Sequence, residues 1–295
     1  MGNRFLILFI FGLLLTAAFQ ACTSKKTPVP SLPVPGPAVT FTATPTVTPA
    51  LWDISSGVTT LASGEYHFGC VHIGAGAVVT IGGGVTIFTQ CFTLDAGATI
   101  SGVGQGDGPG QGLFETCDWG LAGGGGHGGA GGKDCGLDCV TNCGYGGSAN
   151  DDPIHPTFLG SSGAGWAGYQ GGGGLLKLVV YDPIKHKVTP ALINGTIDMD
   201  GNMGSLIGGH DGGGGAGGTI LIEASDISGT GVLLADGGFT GQGGGGGGGI
   251  ISLIANTGSF AGTISVKGGT VGGGPNIFPG DPGIISFTIP PVSGF

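Results

Sequence analysis

The sequence predicts an all-β protein built as a right-handed parallel β-helix, a solenoid with glycine-rich insertions, over residues 51–295. Two observations lead to this fold class. Short segments with a period-two alternation of Ile, Val and Leu recur along the chain, which indicates strands with one buried face. The repeating units are roughly 20 to 30 residues long and show no helical pattern, so each unit needs its neighbours to bury its apolar face.

Two segments that begin with cysteine define the first repeat. CVHIGAGAVVTI starts at Cys70, and CFTLDAGATISG starts 21 residues later at Cys91. If these segments occupy consecutive coils, about 4.8 Å apart, the two Cα atoms lie within reach of a disulfide bond. Export to an oxidising compartment favours the bond. The alternative is two buried free thiols.

A second repeat occurs nearer the end of the chain. GGTILIEASDISGTGVLLADGG starts at Gly217, and GGIISLIANTGSFAGTISVKGG starts 31 residues later at Gly248. A weaker copy with a longer excursion between its strands starts at Gly173, and half a copy starts at Pro282. The alternating residues of these repeats predict a core that includes Ile73, Leu94, Ile220, Leu253 and Ile264.

The segment ASGEYHFGCVHIGAGAVVTIGGGVTIFTQCFTL carries a resemblance to known proteins. Its G-x-Y-x-F start, alternating strands and G-A-x-V turns resemble the first coils of bacterial right-handed β-helix surface proteins. The resemblance covers Ser63 to Gly104, and it extends more loosely over 213–287. These motifs are common, so the resemblance implies a fold rather than a function.

Glycine makes up 72 of the 295 residues without the strict three-residue period of collagen. Its longest runs, at 123–132, 171–174, 212–218 and 243–249, recur at the same place in the repeating units. The runs resemble the polyglycine-II bundles of some receptor ectodomains and phage adhesin tips, in which extended three-fold helices pack through backbone bonds. We therefore expect ordered, packed insertions. The alternative is mobile loops, because ordering glycine costs the most conformational entropy.

The N-terminus predicts export. Arg4 precedes an apolar stretch that ends at about Phe19 and is short for a membrane span. The residues before Cys22 resemble a bacterial lipoprotein signal, which makes 1–21 a signal peptide and Cys22 the lipid-attachment residue. The alternative is ordinary signal-peptidase cleavage after Ala18.

Residues 22–50 predict a lipid-anchored tether. They are rich in Pro and Thr, and such a chain is extended and semi-rigid. By resemblance to enterobacterial sorting, Thr23 in place of aspartate indicates the outer membrane. The expected location is thus the cell envelope, with the membrane as a partner through the lipid.

The region beyond Ala50 is strongly acidic. It holds five lysines, no arginine and all 18 acidic residues, so its formal charge is 5 − 18 = −13. This charge disfavours nucleic acid and anionic lipid headgroups as partners, whereas cations and neutral polymers are tolerated.

A long excursion over about 102–174 contains Cys117, Cys135, Cys139 and Cys143. In an exported chain these residues predict two disulfide bonds, with three possible connectivities. A metal or iron–sulfur site is the alternative, but the spacing lacks C-x2-C pairs. No metal and no cofactor are therefore expected.

Aspartates mark several turns and raise the question of calcium. The repeat alignment places Asp200, Asp236 and Lys267 at one position, and a stacked calcium site would not tolerate the lysine. Ordinary turn chemistry explains these aspartates better.

The predicted function is structural or adhesive rather than catalytic. The alternative is a carbohydrate-active β-helix enzyme that uses aspartates such as Asp151 and Asp198, but these residues lie in no recognisable catalytic motif. Four aromatic residues next to glycine tracts are candidates for binding a polysaccharide or protein surface, and the alternative is that their rings only cover glycine backbone. They are Trp119, Tyr145, Trp166 and Tyr169.

Overall fold

The computed structural model describes residues 50–116, 120–135, 143–165, 169–182, 187–207, 210–274 and 276–289. The signal peptide and nearly all of the predicted tether lie outside these ranges, together with Cys22. Four more of the predicted residues also lie outside them: Cys117, Trp119, Cys139 and Trp166.

The described chain is all-β, and it contains no helix. A nine-stranded sheet consists of β1 (Trp52–Ile54), β3 (Gly64–Ile73), β5 (Gly84–Leu94), β9 (Leu175–Asp182), β10 (Lys187–Val188), β11 (Ala191–Ile193), β15 (Thr219–Gly229), β17 (Ile250–Phe260) and β19 (Ile284–Thr288). A six-stranded sheet consists of β2 (Gly57–Leu61), β4 (Ala77–Ile81), β6 (Thr99–Ser101), β12 (Thr196–Asp198), β16 (Val232–Leu234) and β18 (Thr263–Ser265). Two short hairpins pair β7 (Phe114–Glu115) with β8 (Leu121–Ala122), and β13 (Leu206–Ile207) with β14 (His210–Asp211).

The strand pairs of the two large sheets are parallel, except for the antiparallel pair of β9 and β10. The chain passes alternately between the sheets from β1 to β6 and again from β15 to β19. The register follows the sequence repeats: Cys70 lies opposite Cys91, and Thr219 lies opposite Ile250. The predicted stacking of 70–81 on 91–102 is confirmed.

The weaker repeat interrupts this regularity. β9 and β11 lie one after the other between β5 and β15, so that these four strands form a small closed ring of pairings. Leu176, for example, is opposite Val85 on one side and Ile220 on the other. The longer excursion predicted for this copy is the segment between β9 and β11.

The apolar core lies between the two sheets. Ile73, Leu94 and Ile220 are fully buried, and Leu253 is almost so, as the sequence predicts. Ile264 is only partly buried because β18 is the last strand of its sheet. Within the described ranges, no helix is long and apolar enough to cross a membrane.

Two disulfide bonds are present among the described cysteines. The predicted Cys70–Cys91 bond joins neighbouring strands, with Cα atoms 4.7 Å apart. Cys135 and Cys143 are also bonded, with Cα atoms 4.2 Å apart. This second bond agrees with pairing inside the long excursion.

Candidate functional site

The glycine-rich tracts pack side by side into one ordered body, which we call the glycine bundle. Its tracts are 102–112, 121–132, 144–150, 158–164, 170–174, 199–204, 212–218, 235–241, 243–249, 266–272 and 278–283. Backbone hydrogen bonds join them, although the tracts, apart from β8 at the start of 121–132, are not β-strands. The tracts are therefore packed against one another by backbone hydrogen bonds, which agrees with the expectation of packed insertions.

The tract 243–249 lies at the centre of the glycine bundle and is fully surrounded. Its N–H groups donate to three segments, and its carbonyl groups accept from three others and from Ile284, over distances of 2.6 to 3.1 Å. The accepting segments are 122–125, 235–238 and 278–281, and the donating ones are 129–132, 214–217 and Gly269. A bond to the same neighbouring segment recurs at every third residue: Gly244 donates to Ala122, and Gly247 donates to Gly125.

The tract 212–218 repeats the same arrangement. Its N–H groups donate in turn to 161–164, 244–247 and 199–202 at 2.7 to 2.9 Å, and its carbonyls accept from three further tracts. A Cβ atom at Gly215 would overlap the carbonyl oxygen of Gly171. The close approach of the backbones therefore requires glycine at this interior position.

The glycine bundle has two ends. At one end, the tracts 212–218 and 243–249 continue directly into β15 and β17. The tracts 199–204 and 235–241 run back from the six-stranded sheet, antiparallel to these two. The far ends of the tracts therefore lie together, away from the sheets, and we call this part of the molecule the distal end.

The distal end exposes aromatic and apolar side chains. The sequence-predicted binding residues Tyr145 and Tyr169 are 51% and 64% exposed there. Backbone bonds join neighbouring tract ends, since the Leu113 N–H donates to the Tyr145 carbonyl at 2.8 Å. Exposed rings held on an ordered backbone can stack on a flat partner.

Sequence reasoning missed four further exposed residues at the distal end: Leu113, Met203, Phe239 and Phe278. They were missed because they are far apart in the chain and belong to no strand pattern. Each lies at or next to the end of a glycine tract, and this position was the available signal. The Lys133 ammonium lies 4.8 Å from the centre of the Phe278 ring, a cation–π geometry.

His127 and Asp151 form a buried pair at the other end of the glycine bundle. The His127 side chain is fully buried, with Nδ1 2.9 Å from the Gly217 carbonyl oxygen and Nε2 3.4 Å from Asp151 Oδ2. The Asp151 carboxylate also accepts bonds from the N–H groups of Thr157 and Phe158. Its contacts make Asp151 a structural residue that orders the turn from 151 to 158.

Two opposing effects act on the pKa of Asp151. Burial raises it, whereas hydrogen bonds from His127 and from backbone N–H groups lower it. The bonds prevail, and the pKa lies below its ordinary value. The carboxylate therefore stays ionised and occupied by its donors.

A second acidic group follows the turns of the six-stranded sheet. Asp198 accepts from the Asp200 N–H at 3.0 Å, Asp200 accepts from the Asp236 N–H at 2.6 Å, and Asp236 accepts from the Lys267 N–H at 2.6 Å. The predicted alignment of Asp200, Asp236 and Lys267 is thus found in the structure. Asp198 and Asp200 line an open groove of about 630 Å³ together with Gln170.

Burial and mutual repulsion raise the pKa values in this group. Burial, followed by the charge of Asp198, raises the pKa of Asp200 to about 7. Burial and the charge of Asp236 also raise the pKa of Asp198. Among the described residues, no three His, Cys, Asp or Glu side chains are placed to hold a metal ion.

Comparisons with known proteins find no counterpart of this arrangement. No protein-family model matches the chain, and neither a curated protein nor a solved structure matches it.

Proposed function

We propose that the protein is a non-catalytic lipoprotein of the cell envelope, anchored through Cys22 and held off the membrane by residues 22–50. The apolar N-terminal stretch, the cysteine that follows it and the proline-rich tether support this proposal. Labelled fatty acid should be incorporated into the exported chain and lost in Cys22→Ala. A mature chain that begins at Phe19 and carries no lipid would contradict the anchor.

We also propose a specific geometry for the body of the molecule: a right-handed parallel β-helix that carries a polyglycine-II bundle. The alternation of the chain between two parallel sheets supports the first part. The three-residue period of bonds around 243–249, with six neighbouring segments, supports the second. Such a body is stiff, because each interior glycine backbone is bonded on several sides.

The proposed role of the stiff body is adhesion through the distal end to a neutral polysaccharide. The exposure of Tyr145 and Tyr169 at one end of an ordered bundle carries this proposal. Tyrosine rings stack on the apolar faces of sugar rings, and the charge of the region beyond Ala50 disfavours an anionic polymer. The backbone that carries Tyr145 is already hydrogen-bonded to the neighbouring tract, so it does not have to be ordered on binding, which lowers the entropic cost of association.

Binding to a panel of neutral polysaccharides tests this role. The full exported chain should bind at least one of them, and Tyr145→Ala with Tyr169→Ala should weaken binding about tenfold or more, as expected for loss of about 1.4 kcal/mol or more. Phe158→Ala is the matched control, because Phe158 is an exposed ring next to the buried His127–Asp151 pair, away from the distal end. Equal affinity of all three proteins would contradict binding through the distal end.

A glycoside hydrolase is the second candidate, and one observation favours it. The pKa of Asp200 is raised to about 7 beside the open groove that Asp198 also lines, and a general acid needs a carboxyl that keeps its proton near neutral pH. The same polysaccharide panel should be assayed for new reducing ends. Turnover that survives purification and is lost in Asp200→Asn would replace adhesion by hydrolysis.

A further inference from the structure

Within the described part of the chain, the apolar core is left uncovered at the end formed by β19. Ile285 lies opposite Ile251, and Phe287 lies opposite Leu253, so both continue inward-facing rows of the nine-stranded sheet. Ile251 and Leu253 are 0% and 3% exposed, whereas Ile285 and Phe287 are 41% and 68% exposed. Ile285 and Phe287 thus extend rows of core residues, but no further strand of the described chain covers them.

Nothing in the described chain covers this end. β19 pairs only with β17, and β18 pairs only with β16, so both large sheets end here. A cavity of about 240 Å³ opens here against the last strands of the nine-stranded sheet, and its lining includes Ile227, Leu253, Phe260, Phe287 and Ile289. A solenoid normally needs a polar terminal unit to close such an end, and these apolar residues do the opposite.

The free edge of β19 limits what kind of partner fits. Its outward N–H and C=O groups pair with no strand among the described residues, so a partner that supplies a strand edge satisfies them. The partner must also bring apolar side chains to the open core. A sugar or a small ion meets neither requirement.

Charge indicates which strand edge the partner supplies. The residues that line the cavity are all uncharged, although the region beyond Ala50 has a formal charge of −13 from its five lysines and 18 acidic residues. At the opposite edge of the same sheet, β1 and β3 carry Asp53 and Glu65. Two copies of so acidic a chain repel each other least where carboxylates are few, and at this end the Asp226 carboxylate accepts a hydrogen bond from the Thr257 hydroxyl at 2.8 Å.

We propose that two copies of the chain associate tail to tail, with β19 of each copy paired antiparallel to β19 of the other. Ser286 is the middle residue of β19 and lies at the centre of this pairing. The contact uses the same surface on both copies and brings one open core end against the other. It therefore closes at two copies and leaves neither end exposed.

Disulfide crosslinking of the full exported chain tests the pairing, because anchored chains can share a micelle without any contact. Ser286→Cys should crosslink to itself on a non-reducing gel, whereas the unmodified chain should not. Adding Phe287→Lys should abolish the crosslink, since it places two like charges in the contact. Val58→Lys is the matched control and should leave the crosslink intact, because Val58 is 73% exposed on β2, near the other end of the stack.

Three results would overturn the proposal. The first is a Ser286→Cys chain that is folded by circular dichroism and gives no crosslink. A mixture of Ser286→Cys and Asp53→Cys chains that crosslink to each other would show head-to-tail contact instead. If the crosslink forms only after residues 290–295 are deleted, the chain's own tail covers the end. These results are independent of polysaccharide binding, which uses the distal end.

Discussion

Cys70 and Cys91 lie directly opposite each other on the adjacent parallel strands β3 and β5, and a disulfide bond joins them. The bond links one structural repeat to the next, 21 residues later. It therefore connects a feature visible in the sequence to the register of the sheet.

Removing this bond should lower stability. The Cys70→Ala, Cys91→Ala double variant is expected to lose about 3 kcal/mol in the free energy of unfolding, since the bond closes a loop of this size in the unfolded chain. Removing Cys135–Cys143 should cost less, because that loop spans only 8 residues. Chemical unfolding of the oxidised proteins measures both. Equal losses would show that the loop length does not determine the effect.

A single methyl group inside the glycine bundle should be strongly destabilising. A Cβ at Gly246 would overlap the carbonyl oxygen of Gly215, and neither backbone can move without breaking hydrogen bonds. Gly246→Ala should therefore cost about 3 kcal/mol or more. Gly258→Ala is the control, because its Cβ would meet open space, and it should change stability by less than about 1 kcal/mol. A Gly246→Ala protein with unchanged thermal unfolding would refute close packing at this position.

Asp200 should make the protein less stable as the pH rises. Its pKa is about 7 in the folded protein, against an ordinary value of 3.8, because burial and the charge of Asp198 disfavour ionisation. The folded state therefore holds the proton more tightly, and its stability falls between about pH 4 and pH 7 and levels off above. Asp200→Asn keeps an acceptor for the Asp236 N–H and should remove this part of the fall. In Asp281→Asn, the control at an exposed residue of the tract 278–283, thermal unfolding should follow the parent protein across the same range.

His72 should also make the protein more stable at low pH, in this case because hydrogen bonds favour its charged form in the folded protein. Its ring nitrogens lie 3.0 Å from Asp95 and 2.9 Å from Asp53, and hydrogen bonds to these two carboxylates raise its pKa above 6.5. The stabilisation is complete below pH 6.5 and is lost as the pH rises through the higher folded value. An NMR titration of His72 should show the raised pKa, and Asp53→Asn with Asp95→Asn should return it toward 6.5. A midpoint that these substitutions leave unchanged would rule out the carboxylates as its cause.

The strands were predictable from the sequence because their signal is local. Alternation in ILIEAS and IISLIA predicts a buried face, and the spacing of 31 residues predicts that Thr219 and Ile250 are neighbours. The burial of Ile264 was the exception, since the side chain is only partly buried. It has the right pattern, but it lies on the last strand of its sheet, where no further strand of the described chain covers it.

The candidate site was predictable only in part. Tyr145 and Tyr169 were identified from their glycine neighbours, and they are exposed at the distal end. Phe239 and Phe278 were not, since glycine has no side chain and a glycine run carries no information about which other run it packs against. The pair of His127 and Asp151 was hidden for a similar reason, because its formation depends on how the tracts pack.

The sequence by itself determined the strand repeats, their register and the Cys70–Cys91 bond, because apolar periodicity and cysteine spacing are properties of neighbouring residues. Only the tertiary structure decided which glycine tracts touch, as when His127 meets Gly217 across 90 residues of chain. It also decided that the exposed tract ends lie together and that no described strand covers the core beyond β19. The physical reason is that backbone hydrogen bonds between glycine tracts are nearly independent of sequence, so only the path of the whole chain selects among them.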